Sequence, residues 1–185
     1  MKRVIPLLII LLTSCSPLKK YPLKSDKWEE DIKVLESLDR QETCGNDCIL
    51  FLGSSSIRLW NEIKSDMSPF NVVARGYGGA HFYDIIHYTK RLVKNHNPKA
   101  IVVFVANDIT GSNNNSWYGD LRPREVLKLF KFFTKQVYSA HADIPIFVIE
   151  TTPTISRWKV WNKISAANDL IKNYTEKEDN LSYIT

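Results

Sequence analysis

A serine cluster directly after an apolar run is the part of this sequence best suited to chemistry. Residues 49–52 are apolar, the run stops at Gly53, and Ser54, Ser55 and Ser56 follow. A strand that ends in such a turn and continues as a helix holds a serine hydroxyl beside free helix N–H groups, where a nucleophile and an oxyanion can both be bound. Gly-Ser runs are also common in loops and helix caps, so the motif needs support from other segments.

Two further turns carry residues suited to the same kind of site. Arg75-Gly76-Tyr77-Gly78-Gly79 follows a second apolar run, and Asn107-Asp108 follows a third. Glycine lets the backbone come close to a substrate, and an asparagine amide can donate to a negatively charged oxygen. Tight turns and helix caps are the alternative interpretation of the same residues.

Alternating strands and helices are expected to position these turns. Apolar runs predict five strands, at residues 49–52, 70–74, 100–105, 144–149 and 181–184. Helical periodicity predicts five helices, at residues 25–40, 56–63, 82–95, 126–139 and 164–175. This alternation indicates a parallel sheet with helices on both faces. Because the C-terminal ends of parallel strands meet at one edge, the three turns should converge on one crevice.

The three motifs together resemble the SGNH (GDSL-type) hydrolases. Gly53-Ser54-Ser55-Ser56-Ile57, the glycine turn at 75–79 and Asn107-Asp108 are similar, in order and spacing, to three of the four blocks of that family. Residues 153–158 also resemble a stretch of its Gly-Ser-Ser-Ser subgroup, and the resemblance runs from about residue 48 to residue 185. It implies an α/β protein with a three-layer α/β/α, flavodoxin-like fold. It also implies hydrolysis of small acyl esters, such as acetyl esters of carbohydrates, without a cofactor or a metal.

The resemblance also implies roles for individual residues. Ser55 would be the nucleophile that forms an acyl-serine, and its own N–H, the N–H of Gly79 and the side-chain amide of Asn107 would bind the oxyanion. Arg75, Arg157 and Trp158 are predicted to contact the substrate. The alternatives are that Arg75 braces the crevice through hydrogen bonds or is a solvated charge, and that Arg157 and Trp158 are structural. Four tryptophans could stack on sugar rings or pack in the core: Trp60, Trp117, Trp158 and Trp161.

Two departures from the family pattern matter. Val105 stands where the family usually has glycine, and valine would be strained there if the position requires a positive φ. The fourth block, Asp-x-x-His, is absent, and of His81, His87, His96 and His141 only His81 is expected near the crevice. We therefore expect a C-terminally truncated sequence with little or no activity, because serine needs a base. The alternative is a catalytically inactive surface lipoprotein that uses the same fold as a binding module.

The N-terminus has the pattern of a bacterial lipoprotein leader. Lys2 and Arg3 precede an apolar segment, residues 4–12, that is too short to span a bilayer, and Leu12-Thr13-Ser14-Cys15 resembles a lipobox. We expect residues 1–14 to be a signal peptide, Cys15 to be lipidated, and residues 15–24 to tether a domain at 25–185. The anchor would hold the protein at the periplasmic face of the outer membrane or at the cell surface. A plain secretory signal is the alternative.

Composition and the remaining cysteines narrow the options further. The net charge of +5 includes Lys2 and Arg3 of the leader, and no basic stripe with interleaved aromatics suggests a nucleic-acid partner. With 44% hydrophobic residues and a mean hydropathy of −0.23, the body has the composition of a soluble globular domain. Outside the cytoplasm Cys44 and Cys48 could form a disulfide, while free thiols and a metal or redox site remain alternatives.

Overall fold

A five-stranded parallel sheet forms the centre of the molecule. The computed structural model describes residues 16–24, 26–112 and 117–185. Adjacent strands follow the order β2-β1-β3-β4-β5, which is the flavodoxin-like order. The strands are β1 (Cys48–Gly53), β2 (Asn71–Gly76), β3 (Ala100–Phe104), β4 (Ile146–Ile149) and β5 (Leu181–Ile184).

Helices cover both faces of this sheet, as the sequence predicts. Right-handed crossovers put the β1–β2 connection on one face and the later connections on the other, because the chain reverses its direction along the sheet after β2. The α-helices are α1 (Pro17–Lys20), α2 (Glu29–Leu38), α3 (Ser55–Arg58), α4 (Ile63–Asp66), α5 (Phe82–Val93), α6 (Pro123–Ala140) and α7 (Trp161–Thr175), and a 3-10 helix spans Ile155–Val160.

The two faces of the sheet carry cores of different size. The larger core joins strand residues such as Leu50 and Val148 to α2, α5, α6 and α7. The smaller core joins Phe51 of β1 to Ile57 and other residues of the short helices. Among the described residues these short helices cover mainly β1 and β2, and Ile184 on β5 remains 40% exposed. The predicted three-layer fold is therefore confirmed, with one thin layer.

The predicted elements occur in the expected order, with some different boundaries. The helix expected at 56–63 is two short helices, α3 and α4. Between them Trp60 packs on Phe51, with ring centroids 5.9 Å apart, and its Nε1 donates to Asp66 at 2.6 Å, which folds the chain back. Helix α6 begins at Pro123, earlier than expected, because proline suits the first helical position and Glu125 accepts the Arg122 N–H.

Residues 16–24 differ from the tether that their composition predicts. Pro17–Lys20 is helical, and Tyr21 is only 4% exposed. The Tyr21 hydroxyl donates to Glu125 at 2.9 Å, and its carbonyl oxygen lies 2.7 Å from Nε2 of His87. The ring of Tyr21 supplies the apolar area that packs this segment on the domain. A prediction from composition misses it, because prolines and lysines dominate the segment. The signal peptide and Cys15 lie outside the described residues.

The cysteines at 44 and 48 form a disulfide that closes the loop before β1. Their Cα atoms are 5.2 Å apart, and both residues are buried. The Cys44 N–H donates to Nδ1 of His96 at 3.0 Å, and the Cys44 carbonyl accepts the Asn97 N–H at 2.7 Å. The loop is therefore tied to the α5–β3 connection. Within the described ranges, no helix combines the length and the hydropathy that crossing a bilayer requires.

Candidate active site

The turn after β1 separates the three serines into different environments. The Ser54 N–H donates to the Phe104 carbonyl at 3.0 Å, and the Ser54 carbonyl accepts from Ile57 and Arg58 at 3.1 Å each. Ser54 is 2% exposed, whereas Ser55 is partly exposed at the first position of α3. Ser54 therefore holds the turn in place, and Ser55 offers its hydroxyl to the surface.

Two glycines let α3 begin directly at the edge of the sheet. A Cβ atom at Gly53 would lie 2.2 Å from the carbonyl oxygen of Phe104, and one at Gly76 would lie 2.7 Å from the Arg58 nitrogen. Gly53 and Gly76 face each other in the β1–β2 register. Backbone atoms cannot move aside for a methyl group, so both positions require glycine.

A cleft of about 270 Å³ opens beside Ser55 at the carboxyl edge of the sheet. Within the described residues the Ser55 hydroxyl has no hydrogen-bond partner, so its lone pairs are free to attack a ligand in this cleft. Most of the lining side chains carry hydroxyls, and one carries a positive charge. The lining consists of Ser54, Ser55, Ser56, Phe104, Ala106, Asn107, Thr151, Thr152, Thr154, Ser156 and Arg157.

Asn107 is held on both sides of its side-chain amide. Nη2 of Arg157 donates to Oδ1 of Asn107 at 2.9 Å, and Nη1 donates to the Ala106 carbonyl at 2.5 Å. Nδ2 of Asn107 donates to the Ala80 carbonyl at 2.9 Å. A guanidinium group can only donate hydrogen bonds, so the amide oxygen of Asn107 must face Arg157. The amide nitrogen of Asn107 then faces the glycine turn. The second N–H of this amide keeps no protein acceptor among the described residues.

Val105 does not strain the strand end that carries Asn107. Asp143 is the one non-glycine residue with a positive φ in the described ranges, so Val105 does not occupy the left-handed region. Its side chain is 7% exposed and belongs to the larger core. The departure from the family pattern at this position is therefore accommodated by packing.

The glycine turn lies beside α3 and adopts a conformation that needs glycine. Gly79 has a φ of +73°, which disfavours other residues although an added Cβ would meet no described atom within 4 Å. A Cβ at Gly78 would lie 3.5 Å from the Arg58 guanidinium, which places this turn next to the serine motif. Nε1 of Trp28 donates to the Gly78 carbonyl at 2.7 Å and fixes the turn. In the described part of the chain, the Gly79 N–H has no acceptor.

Arg75 is not a substrate contact, contrary to the prediction. It lies opposite Leu52 in the register, on the face of the larger core, and is 1% exposed. Its Nε donates to Asp39 at 2.8 Å, Nη1 donates to Glu42 at 3.1 Å, and Nη2 donates to the Glu42 carbonyl at 2.7 Å. The guanidinium group is thus committed to the segment that follows α2, which it binds to the sheet.

The four histidines are all described, and none of them lines the serine cleft. His81 is 2% exposed, its ring stacks on Tyr83 with centroids 4.5 Å apart, and its Nδ1 lies 3.3 Å from the Asp84 carboxylate. The other three bind backbone groups elsewhere: His87 at Tyr21, His96 at Cys44 and His141 at Val93. The described residues therefore bring no imidazole to Ser55.

Asp108 serves the site as a buried cap rather than as a reactive group. Its two carboxylate oxygens accept the Phe82 N–H at 3.0 and 3.1 Å, which anchors the first turn of α5. Burial raises the pKa of Asp108 to about 7. Asp108, Ala106 and Tyr183 are among the residues that line a small cavity of about 30 Å³. The Tyr183 hydroxyl is buried without a hydrogen-bond partner among the described residues.

The four candidate tryptophans divide into packed and exposed side chains. Trp117 packs on Trp28 at 4.9 Å between ring centroids, and Trp60 and Trp161 pack against the two cores. Trp158 is 66% exposed on the 3-10 helix whose Ser156 and Arg157 line the cleft. Of the four, Trp158 is thus the exposed ring, although it is not among the residues that line the serine cleft.

Comparison with solved structures identifies the fold. One similar structure, a candidate platelet activating factor from Streptococcus pneumonia, has a TM-score of 0.70 and 15% identity over 85% of this chain and 74% of its own. A candidate acylhydrolase from Bacteroides fragilis has a TM-score of 0.62 and 17% identity over 86% and 75%. A GDSL-like lipase from Bacteroides thetaiotaomicron has a TM-score of 0.64 and 14% identity over 83% and 76%.

These likenesses establish the fold. The chain has the α/β/α fold of the solved GDSL-type structures, as the sequence resemblance predicts. No family model and no curated protein matches the chain.

Proposed function

We propose that this protein is an SGNH-type hydrolase that cleaves small acyl esters through an acyl-serine. The observation that carries the proposal is the convergence of Ser55 and Asn107 on one hydroxyl-lined cleft, from two different strand ends. The fold shared with solved GDSL-type structures supports it.

The proposed reaction uses Ser55 and Asn107, which line the cleft, and Gly79, which belongs to the adjacent glycine turn and is not part of the lining. Oγ of Ser55 attacks the acyl carbon, and the carbonyl oxygen becomes an oxyanion. The N–H groups of Ser55 and Gly79 and the free amide N–H of Asn107 donate to that oxygen. Each such donor is worth about 100- to 1000-fold in rate. The tetrahedral intermediate then collapses, the bond to the alcohol breaks, and the alcohol leaves with the proton that Ser55 gave up, which yields the acyl-serine. Water attacks the acyl-serine, releases the acid and returns a proton to Oγ of Ser55.

Proton transfer from Ser55 is the step of the proposed reaction for which the described residues offer the fewest candidate groups. Serine is a weak nucleophile until a base takes its proton, and no histidine lines the cleft. We therefore expect slow hydrolysis by this 185-residue chain, together with stimulation by a small external base such as imidazole. A base of that size fits a cleft of about 270 Å³.

The test is imidazole-dependent hydrolysis of p-nitrophenyl acetate. We expect the rate of the wild-type protein to rise with imidazole and the rate of Ser55→Ala to stay at that of imidazole alone. Ser56→Ala is the matched control and should retain the activity, because Ser56 is exposed one position further along α3. Equal losses in both variants would overturn the assignment of Ser55, and an imidazole response independent of both serines would overturn the esterase proposal.

A non-catalytic binding module is the second candidate, and the absence of histidine from the cleft favours it. In that case ligands would occupy the cleft without an acyl-serine forming. A fluorophosphonate probe used with imidazole present separates the two functions, because covalent labelling that disappears in Ser55→Ala requires a serine that can be activated.

An acetylated carbohydrate is our proposed substrate class. The lining hydroxyls can hydrogen-bond to a sugar, and the exposed face of Trp158 can stack on its ring. Of the three residues predicted to contact the substrate, Arg157 lines the cleft. Trp158 is exposed on the same 3-10 helix, outside the lining, and Arg75 is buried.

A further inference from the structure

Arg157 carries a positive charge that no carboxylate of the described residues neutralises. Its protein partners are two neutral oxygens, the carbonyl of Ala106 and the amide oxygen of Asn107. A guanidinium group has five N–H donors, so three remain beyond these two contacts. The residue is only partly exposed and lines the serine cleft.

The neighbouring carboxylate is already occupied by other donors. Asp120 is the acid whose charge acts on Arg157, but its oxygens accept the N–H groups of Thr110 at 2.8 Å and Gly111 at 2.9 Å. No carboxylate stands among the described residues that line the cleft. As far as the described residues show, the cleft lining therefore contains one fixed cation, several hydroxyls and no counter-charge.

A partly buried cation without a counter-ion favours an anionic ligand. Removing a charge from water is unfavourable unless an opposite charge or several hydrogen bonds compensate. The planar fork of a guanidinium group matches a carboxylate with two parallel hydrogen bonds. Nearby, the hydroxyls of Thr154 and Ser156 lie 3.2 Å apart and can donate to the same group.

We propose that Arg157 forms an anion subsite in the cleft, and that the preferred substrate is an ester with a carboxylate close to the scissile bond. The inference rests on the proposed esterase function and narrows its substrate class. Arg157 would then have two roles, since the same guanidinium group orients Asn107 and binds the substrate carboxylate.

The test compares matched esters that differ in one charge. Phenyl acetate and 4-acetoxybenzoate carry that difference on the alcohol side, while p-nitrophenyl butyrate and mono-p-nitrophenyl succinate carry it on the acyl side. The quantity to measure, with imidazole present, is the ratio of kcat/KM for the charged ester to that for the neutral one. This ratio cancels any loss that Arg157 variants cause through Asn107, because both esters need the same oxyanion donor.

We expect the wild-type ratio to favour the charged ester by about tenfold in at least one pair, equivalent to roughly 1.4 kcal/mol. Arg157→Gln should bring this ratio close to one, and Arg157→Lys should keep part of the preference. Lys159→Gln is the matched control, because it removes a cation from the same 3-10 helix without changing the cleft lining. An unchanged ratio in Arg157→Gln, or an equal fall in Lys159→Gln, would overturn the subsite.

A binding measurement separates this proposal from the esterase function itself. The amides 4-acetamidobenzoate and acetanilide resemble one ester pair but are not cleaved, so calorimetry can follow their binding to the wild-type protein. Tighter binding of the charged amide that Arg157→Gln abolishes supports the subsite even if no ester is hydrolysed. Equal binding of the two amides, or a preference that survives in a folded Arg157→Gln protein, overturns it. Thermal unfolding verifies the fold of each variant, and Arg157→Lys substitutes if Arg157→Gln does not fold.

Discussion

Asp108 shows how one buried carboxyl group makes stability depend on pH. Burial raises its pKa to about 7 in the folded protein, whereas an unfolded aspartate has a pKa of about 3.9. Between about pH 4 and pH 7 the folded state therefore binds more protons than the unfolded state. The free energy of unfolding that this group contributes must fall as the pH rises through that window, and it stays low above pH 7.

The substitution Asp108→Asn removes this titration while retaining an oxygen that can accept the Phe82 N–H. We expect the difference in unfolding free energy, variant minus wild type, to increase between about pH 5 and pH 7, by at most ~1.4 kcal/mol per pH unit. Urea denaturation at a series of pH values measures it. Asp169→Asn, at an exposed position, corrects for the general loss of one negative charge. A difference that is constant across this range, or that falls, would contradict the assignment.

Single residues also show which parts of the site the sequence could predict. Ser55 and Asn107 follow strands directly, so their common edge follows from the order of elements alone. The contact between Arg157 and Asn107 joins residues 50 positions apart, and the pair of Arg75 and Asp39 joins residues 36 positions apart. Such partners depend on packing geometry that no local pattern encodes, which is why Arg75 was expected at the substrate and is instead buried.

At the scale of elements, the approach of α3 to the sheet fixes the position of the nucleophile. Gly53 ends β1 and Gly76 ends β2, and both leave space that backbone atoms of β3 or α3 occupy. If this approach widened, Ser55 would move away from the cleft that it shares with Asn107. The glycines therefore position the site without contacting a substrate.

The substitution Gly53→Ala should separate α3 from β3. Its Cβ would lie 2.2 Å from the Phe104 carbonyl oxygen, so we expect a loss of about 1–3 kcal/mol in unfolding free energy and a loss of Ser55-dependent labelling. Gly45→Ala is the control, since its Cβ would meet no described atom within 4 Å and its φ is not positive. Chemical denaturation and fluorophosphonate labelling provide the two measurements. A Gly53→Ala protein as stable and as reactive as Gly45→Ala would contradict the close approach.

Elements differ in how clearly the sequence predicts them. The strands are short apolar runs bounded by polar residues and glycine, so the sequence predicts their ends to within a few residues of the observed bounds. The 3-10 helix at Ile155–Val160 has no such signature, because its Ile155 and Trp158 are exposed. Residues three apart in a 3-10 helix share one face, and here the face with Arg157 and Val160 turns toward the protein.

On the scale of the whole molecule, the N-terminal region binds the helical layer together. Helix α1 contacts α5 and α6, and Arg91 of α5 forms ion pairs with Glu29 at 2.8 Å and Glu36 at 2.7 Å of α2. The buried Arg75 joins β2 to Asp39 at the end of α2. The described residues before β1, 16–24 and 26–47, are therefore packed as part of the domain.

This packing affects how a lipid anchor would hold the domain. We propose that Cys15 is lipidated, on the sequence evidence of the leader. One residue then separates the anchor from α1, and Tyr21 is buried four positions after Pro17. A domain attached so closely would lie against the bilayer instead of reaching away on a flexible tether. Lys20 is paired with Glu125, which leaves Lys19 at the end of α1 to meet lipid headgroups, where a cation contributes about 1 kcal/mol on an anionic surface.

The anchor and the packed segment can be tested separately by expressing the protein in a bacterium. We expect the wild-type protein to incorporate labelled palmitate and to partition into the detergent phase of Triton X-114, and we expect Cys15→Ala to do neither. Tyr21→Ala should retain the lipid but release residues 16–24 from the domain, since it removes the ring and the hydroxyl that contact Tyr118 and Glu125. Limited proteolysis of membrane vesicles should then cut Tyr21→Ala in this segment faster than wild type. Palmitate in Cys15→Ala would contradict the anchor, and equal proteolysis of the two lipidated proteins would contradict the docked segment.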